Sequence, residues 1–204
     1  MLHLNRQSLK ENRAEWEAQG FQLYSFDDEA VTSSTAQSPK WLHVGGGNIF
    51  RAFIAPLQQQ LLETGKEHTG ISVMTTHNMA VIDDVYRPYD NLSVAVTMYA
   101  DGHFDKKVIG NVVESLGCAR NRLQDWQKLI DIFTSPTLQL VSFTITEKGY
   151  KLTDYKGDYF DDVNADLNQG PEHTQSGMGN LAALTYARYK KGAIPFAFLS
   201  LDNC

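Results

Sequence analysis

The stretch Trp41-Leu-His-Val-Gly-Gly-Gly-Asn-Ile-Phe-Arg51 constrains the fold of this chain more than any other. Leu42 and Val44 form a short apolar strand that runs into three consecutive glycines, after which Phe50, Phe53, Ile54, Leu57 and Leu61 recur at helical spacing. Strand, glycine turn and helix start make a unit suited to an anion. Glycine lets the backbone approach closely, and the first helical N–H groups have no partner inside the helix. A dinucleotide pyrophosphate is the ligand such a unit receives in α/β proteins. Gly45 and Gly47 fill the first two positions of the usual fingerprint, but Phe50 stands at the third, so the motif alone also describes an ordinary turn. Asn48 is the expected helix cap, accepting a backbone N–H, and the helix is expected to end near Gly65.

The rest of the chain supplies partners for a parallel sheet. Ile71–His77, Leu138–Ile145 (as a central strand) and Ile194–Ser200 read as strands. Leu123, Trp126, Ile130 and Phe133 recur three or four apart, and Leu181, Leu184 and Ala187 mark a second helix opened by Ser176 and closed near Gly192. Leu92–Tyr99, the Asp101-Gly102 turn and a return strand beginning at Val108-Ile109 predict a hairpin. Residues 151–175 read as a polar loop with only short helical turns. The expected fold class is α/β, a Rossmann-like, mostly parallel sheet flanked by helices, with an antiparallel hairpin insertion. Residues 1–38 read as an N-terminal extension and 39–204 as the nucleotide-binding domain. Because Leu201-Asp-Asn-Cys204 follows directly on a strand, the expectation is a truncation before another domain.

Composition removes several function classes. A chain of 204 residues with 42% hydrophobic residues fills a core. A net charge of -6 without a run of Lys or Arg argues against nucleic acid as a partner. Cys118 and Cys204 make no disulfide framework, and His3, His43, His68, His77, His103 and His173 show no closely spaced ligand set, so no metal is expected. With neither a long apolar run nor a signal-peptide core, no membrane partner is expected and the expected location is cytoplasmic.

Three stretches together resemble the mannitol dehydrogenase family of long-chain polyol and sugar-acid dehydrogenases, which includes fructuronate and tagaturonate reductases. They are Gly45-Gly-Gly-Asn-Ile-Phe-Arg-Ala52, Val141-Ser-Phe-Thr-Ile-Thr-Glu-Lys-Gly-Tyr150 and Pro195-Phe-Ala-Phe-Leu-Ser-Leu-Asp-Asn203. Asp166-Leu167 and Gly177 also fall on family positions, and the match in order and spacing spans 41–204. Phe50 and Phe53 stand where the family more often has His, and Leu201 replaces its usual cysteine.

The resemblance implies NAD as cofactor, with NADP as the alternative, and a small-molecule sugar acid or polyol as substrate. It implies that Gly45, Gly47, Asn48 and Arg51 form the pyrophosphate end, that Thr146 and Glu147 lie at the nicotinamide edge, and that Asn203 is a catalytic residue hydrogen-bonding the reacting oxygen. The family's catalytic Lys, Asn and His sit in a helical C-terminal domain with no counterpart here, so that domain is an expected partner and the isolated chain is expected to be inactive. An NAD site normally has an acid after its second strand; here Thr75-Thr76-His77-Asn78 occupies the place, leaving His77 and Asn78 for the ribose or a 2′-phosphate. Two other readings stand beside this one: a nucleotide sensor or structural partner without turnover, and an enzyme using another Rossmann-bound ligand such as S-adenosylmethionine. His43, inside the apolar strand, is expected to be a hydrogen-bonded structural residue.

Overall fold

A computed structural model describes residues 2–202. The chain opens with two short helices, α1 (Arg6–Glu11) and α2 (Arg13–Ala18), a two-residue strand β1 (Phe21–Gln22) and α3 (Asp28–Gln37). Then comes β2 (Trp41–Val44), the glycine turn, a π-helical segment (Phe50–Ile54) that continues as α4 (Ala55–Glu63), and β3 (Ile71–Thr75). A second π-helical segment (Val81–Tyr86) and a 3₁₀ turn (Arg87–Tyr89) precede the strands β4 (Ser93–Met98), β5 (Phe104–Ile109) and β6 (Val112–Gly117). The remainder is α5 (Leu123–Thr134), β7 (Leu140–Phe143), α6 (Glu147–Tyr150), α7 (Asp161–Gln169), α8 (Gly177–Gly192) and β8 (Ala197–Ser200).

The main sheet has five strands in the order β6-β3-β2-β7-β8, all paired in parallel. β3 and then β6 lie on one side of β2, and β7 and then β8 on the other, so the order reverses at β2. That reversal is the topological switch point at which α/β sheets bind ligands, outside the carboxyl ends of the strands. Alternation along β2 divides the core. Leu42 and Val44 pack with Leu129, Phe133, Leu181 and Leu184 of α5 and α8. On the other face Phe50, Ile54 and Ala55 pack with Ile71, Val73 and Ile109.

The hairpin forms a separate three-stranded sheet, β1-β5-β4, in which β5 pairs antiparallel with β4 and parallel with β1. Its return strand begins at Phe104, not at Val108: the half-buried Asp105, Lys106 and Lys107 pair with β4 while giving no apolar signal in the sequence. Leu9, Trp16 and Tyr24 share a small core with Leu92 and Val108. Gln59 seals the hairpin to α4: its amide donates to the Val108 carbonyl at 3.1 Å and its oxygen accepts from the Gly110 N–H at 2.8 Å.

β7 is an interior strand between β2 and β8, with β2 in the middle of the sheet. Three other expectations need correction. The third parallel strand, β6, was not anticipated, since Val112-Val-Glu-Ser-Leu-Gly117 carries Glu and Ser among its apolar residues. Residues 161–169 form a full helix, α7, held by the buried Val163 and Asp166. Finally, of the apolar positions after the glycine turn only Phe50 and Ile54 are buried, while Phe53, Leu57 and Leu61 are exposed. The π-helical segment shifts the phase of the helix at this point.

Arg188 fixes the approach to β8. It is 2% exposed, and its guanidinium donates to the carbonyls of Phe133, Ser135, Leu138, Ile194 and Pro195. One side chain thereby ties the end of α8 to the α5–β7 connection.

Candidate nucleotide site

The three strands whose ends bear the expected site residues, β3, β2 and β7, are neighbours, and the carboxyl edge of the sheet therefore gathers these residues. Gly45, Gly47, Asn48 and Arg51 follow β2, His77 and Asn78 follow β3, and Thr146 and Glu147 follow β7. Asn203 lies outside the described residues.

The three glycines meet different requirements. Gly45 has φ +115°, and a Cβ there would lie 2.4 Å from the Thr144 carbonyl oxygen, so only glycine fits between β2 and the end of β7. A Cβ on Gly46 would lie 3.0 Å from the Tyr86 ring. Gly47 has no neighbour within 4 Å of such a Cβ, which leaves the front of the turn open.

Asn48 does not cap the helix with its side chain. Arg51 N–H donates to the Gly47 carbonyl at 3.1 Å, so Gly47 holds the cap position and Asn48 is already helical. The Asn48 amide oxygen instead accepts from Arg51 Nη2 at 2.5 Å. Arg51 Nη1 is buried and has no hydrogen-bond partner among the described residues, and its guanidinium lies 5.9 Å from the centroid of the Tyr86 ring. An open glycine turn beside an unsatisfied guanidinium nitrogen fits a phosphate group.

A polar relay crosses from β7 to this turn. Trp41 Nε1–H donates to Ser142 Oγ at 2.7 Å, Ser142 Oγ lies 2.7 Å from His43 Nδ1, and His43 Nε2 lies 2.8 Å from Thr144 Oγ1. The Thr144 hydroxyl donates to the Gly45 carbonyl at 3.3 Å. Every donor finds an acceptor when His43 is the neutral Nε2–H tautomer. Burial pushes its pKa down to about 3, which keeps it neutral and makes it a structural residue, as expected.

At the end of β3, Thr76 Oγ1 and His77 Nδ1 are 2.7 Å apart, and a Cβ on Gly177 would come within 2.8 Å of the His77 ring. The exposed His77 thus lies against the start of α8. Asp83 and Asp84 are the next acids in the chain. Asp83 is taken up by Arg122, which donates to both carboxylate oxygens at 2.7 and 2.9 Å and holds the acid below its ordinary pKa. At the end of β7, Glu147 is exposed and paired with Lys151 at 2.9 Å.

Two residues outside the expected set shape this edge. Tyr86 is buried and its hydroxyl donates to the Gly46 carbonyl at 3.1 Å; a buried aromatic 40 positions from its partner leaves no local signal in the sequence. Asp166 accepts from the N–H groups of Gln175 and Ser176 at 2.6 and 3.0 Å and from the Ser176 hydroxyl at 2.6 Å, and Ser176 Oγ caps α8 by accepting from Gly179 N–H. Among the described residues, no group of three or more His, Cys, Asp or Glu is arranged to hold a metal ion. No helix of these residues is long and apolar enough to cross a membrane.

The all-parallel sheet, its switch point and a glycine turn feeding a helix start define a Rossmann-type domain. The chain belongs to the mannitol dehydrogenase family: residues 39–204 match the model of the mannitol dehydrogenase Rossmann domain. It is 49% identical over 202 residues to a D-mannonate oxidoreductase of Thermotoga maritima, covering 99% of this chain and 37% of that protein. It is 30% identical over 186 residues to a mannitol 2-dehydrogenase of Cereibacter sphaeroides, covering 88% of this chain and 36% of the relative. Among solved structures, the Pseudomonas fluorescens mannitol 2-dehydrogenase ternary complex with NAD and D-mannitol superposes with a TM-score of 0.76 at 25% identity, covering 98% of this chain and 38% of that one. A substrate-free D-sorbitol dehydrogenase shares the fold, with a TM-score of 0.73 at 24% identity, covering 91% and 37% of the two chains. The chain thus spans little more than a third of the length of these relatives.

Proposed function

We propose that residues 39–204 form the NAD(H)-binding domain of an oxidoreductase that interconverts a polyol or aldonate with a ketose or keto-sugar acid, of the fructuronate or tagaturonate reductase kind, with residues 1–38 as an extension. The observation that carries this reading is the open turn at Gly47 beside the unsatisfied Arg51 Nη1, set at the switch point of a domain 49% identical to a D-mannonate oxidoreductase. Gly45, Gly47, Asn48 and Arg51 hold the pyrophosphate, His77 and Asn78 face the adenosine ribose, and Thr146 and Glu147 border the nicotinamide. Bound nicotinamide supplies or accepts the hydride. Asn203 donates to the substrate oxygen and positions it.

Turnover in this reading requires a further part of the enzyme. Ile49, Phe53, Leu57 and Leu61 form an exposed apolar strip along the helix, on the flank away from the hairpin-facing Gln59 and Glu63. We assign its cover to the remaining two-thirds of the length that the relatives carry. The 204-residue chain alone therefore binds cofactor with little or no oxidoreductase activity.

Titration of the chain with NADH and NADPH, followed by ligand fluorescence, tests the assignment. Gly47→Asp adds a carboxylate at the turn, where a Cβ meets nothing within 4 Å. Saturable binding that this folded variant loses supports the site. Absence of saturable binding by the wild-type chain, or full binding by the variant, refutes it.

A further inference from the structure

The glycine turn is held from behind by one buried phenol. Tyr86 is 1% exposed, sits at the end of the second π-helical segment, and donates to the Gly46 carbonyl at 3.1 Å. Its ring closes the space behind Gly46, where an added Cβ would meet ring carbon at 3.0 Å and Val81 Cγ1 at 3.3 Å. The same ring lies under the Arg51 guanidinium, 5.9 Å from its centroid. Burial raises the Tyr86 pKa far above that of an ordinary phenol and outweighs the opposing charge of Arg51, so the hydroxyl remains a donor at every working pH.

We infer that Tyr86 is a positioning residue for the phosphate-binding turn, one side chain that sets both the Gly46 peptide and the Arg51 guanidinium. This rests on the proposed nucleotide site. Gly46 lies between the two fingerprint glycines, so the orientation of its peptide decides where the adjoining N–H groups point. Without the Tyr86 hydroxyl the Gly46 carbonyl loses a buried donor and the peptide is free to rotate. The ring, retained in Tyr86→Phe, keeps the packing.

The experiment compares wild-type chain with Tyr86→Phe and with Tyr24→Phe, which removes a partly buried hydroxyl bonded to Asp28 at 3.1 Å, outside the glycine-turn edge. Three quantities are measured on each: NADH affinity, adenosine affinity, and deuterium exchange of the amides of residues 45–49 without ligand. Tyr86→Phe is expected to weaken NADH binding about three- to tenfold, to leave adenosine, which carries no phosphate, unchanged, and to speed exchange in the turn. Tyr24→Phe is expected to change none of the three. Unchanged exchange in a folded Tyr86→Phe chain overturns the inference, as does equal weakening of NADH and adenosine. If wild-type chain fails to bind NADH, the functional reading falls while the exchange measurement still decides whether Tyr86 holds the turn.

Discussion

His43 Nε2 lies 2.8 Å from Thr144 Oγ1, joining the ends of β2 and β7 immediately before the glycine turn. The ring is stacked on Phe50, with centroids 4.4 Å apart and planes 13° from parallel. A protonated imidazole would lose the acceptor that Ser142 uses and would carry an unpaired charge into the core.

Stability therefore depends on pH in a defined direction. The His43 pKa falls from 6.5 to about 3 on folding, so below pH 6.5 the unfolded chain takes up a proton that the folded chain refuses. The contribution is fully present above 6.5 and is lost as pH falls through the window down to about 3. Between about pH 7 and pH 5 the loss amounts to roughly 2 kcal/mol. Urea unfolding at the two pH values measures it, and His43→Gln is expected to flatten the difference while lowering stability at the higher pH. An undiminished difference in the variant would assign the effect elsewhere.

The glycine turn holds one crowded glycine and one open one. Gly45→Ala places a Cβ 2.4 Å from a backbone oxygen at φ +115°, and the expected loss of stability is about 2–4 kcal/mol. Gly47→Ala meets nothing and is expected to shift stability by less than about 1 kcal/mol. Denaturant midpoints of the two variants check the contrast; similar midpoints would contradict the crowding at Gly45.

Asp166 holds the entry to α8 through three accepted hydrogen bonds. Asp166→Ala leaves those donors without their acceptor and is expected to destabilise the chain by about 2–3 kcal/mol. Gly179→Ala, whose new Cβ would sit 1.9 Å from Asp166 Oδ2, is expected to act in the same direction. A loss below about 0.5 kcal/mol in Asp166→Ala, read from urea unfolding, would show that water replaces the carboxylate.

In the proposed nucleotide site the end of β3 faces the adenosine ribose, and there Thr75-Thr76-His77-Asn78 offers no carboxylate while Asp83 is taken up by Arg122. With no carboxylate in Thr75–Asn78 to repel a 2′-phosphate, NADPH is expected to bind within about tenfold of NADH. His77→Asp is expected to lower NADPH affinity by about tenfold relative to NADH. Parallel fluorescence titrations decide it, and an unchanged ratio would move the ribose contact away from His77.

Much of the architecture is legible in the sequence because it is recorded by local period. Leu42 and Val44 ahead of the glycines, Leu123 to Phe133 at helical spacing and Ser176 before a helix each reveal an element from neighbouring residues. Since parallel strands all present their carboxyl ends to one edge, this pattern also gathers the expected site residues there. β6 escaped because its Glu114 and Ser115 break the apolar run, while the strand's place in the sheet comes from pairing with β3 some forty residues earlier.

The sequence by itself determined the α/β class, the strand–glycine turn–helix unit and the family. Tertiary structure alone decided that Phe53, Leu57 and Leu61 face outward while Phe50 and Ile54 face in, because spacing gives the width of an apolar face but not which neighbour covers it. It also decided that Asn48 serves Arg51 and not the helix cap, and that Arg188, Asp166 and Tyr86 are anchors. A buried polar group must find its partner wherever the chain brings one, and for Tyr86 and Arg188 those partners lie as far as 40 and 55 positions away.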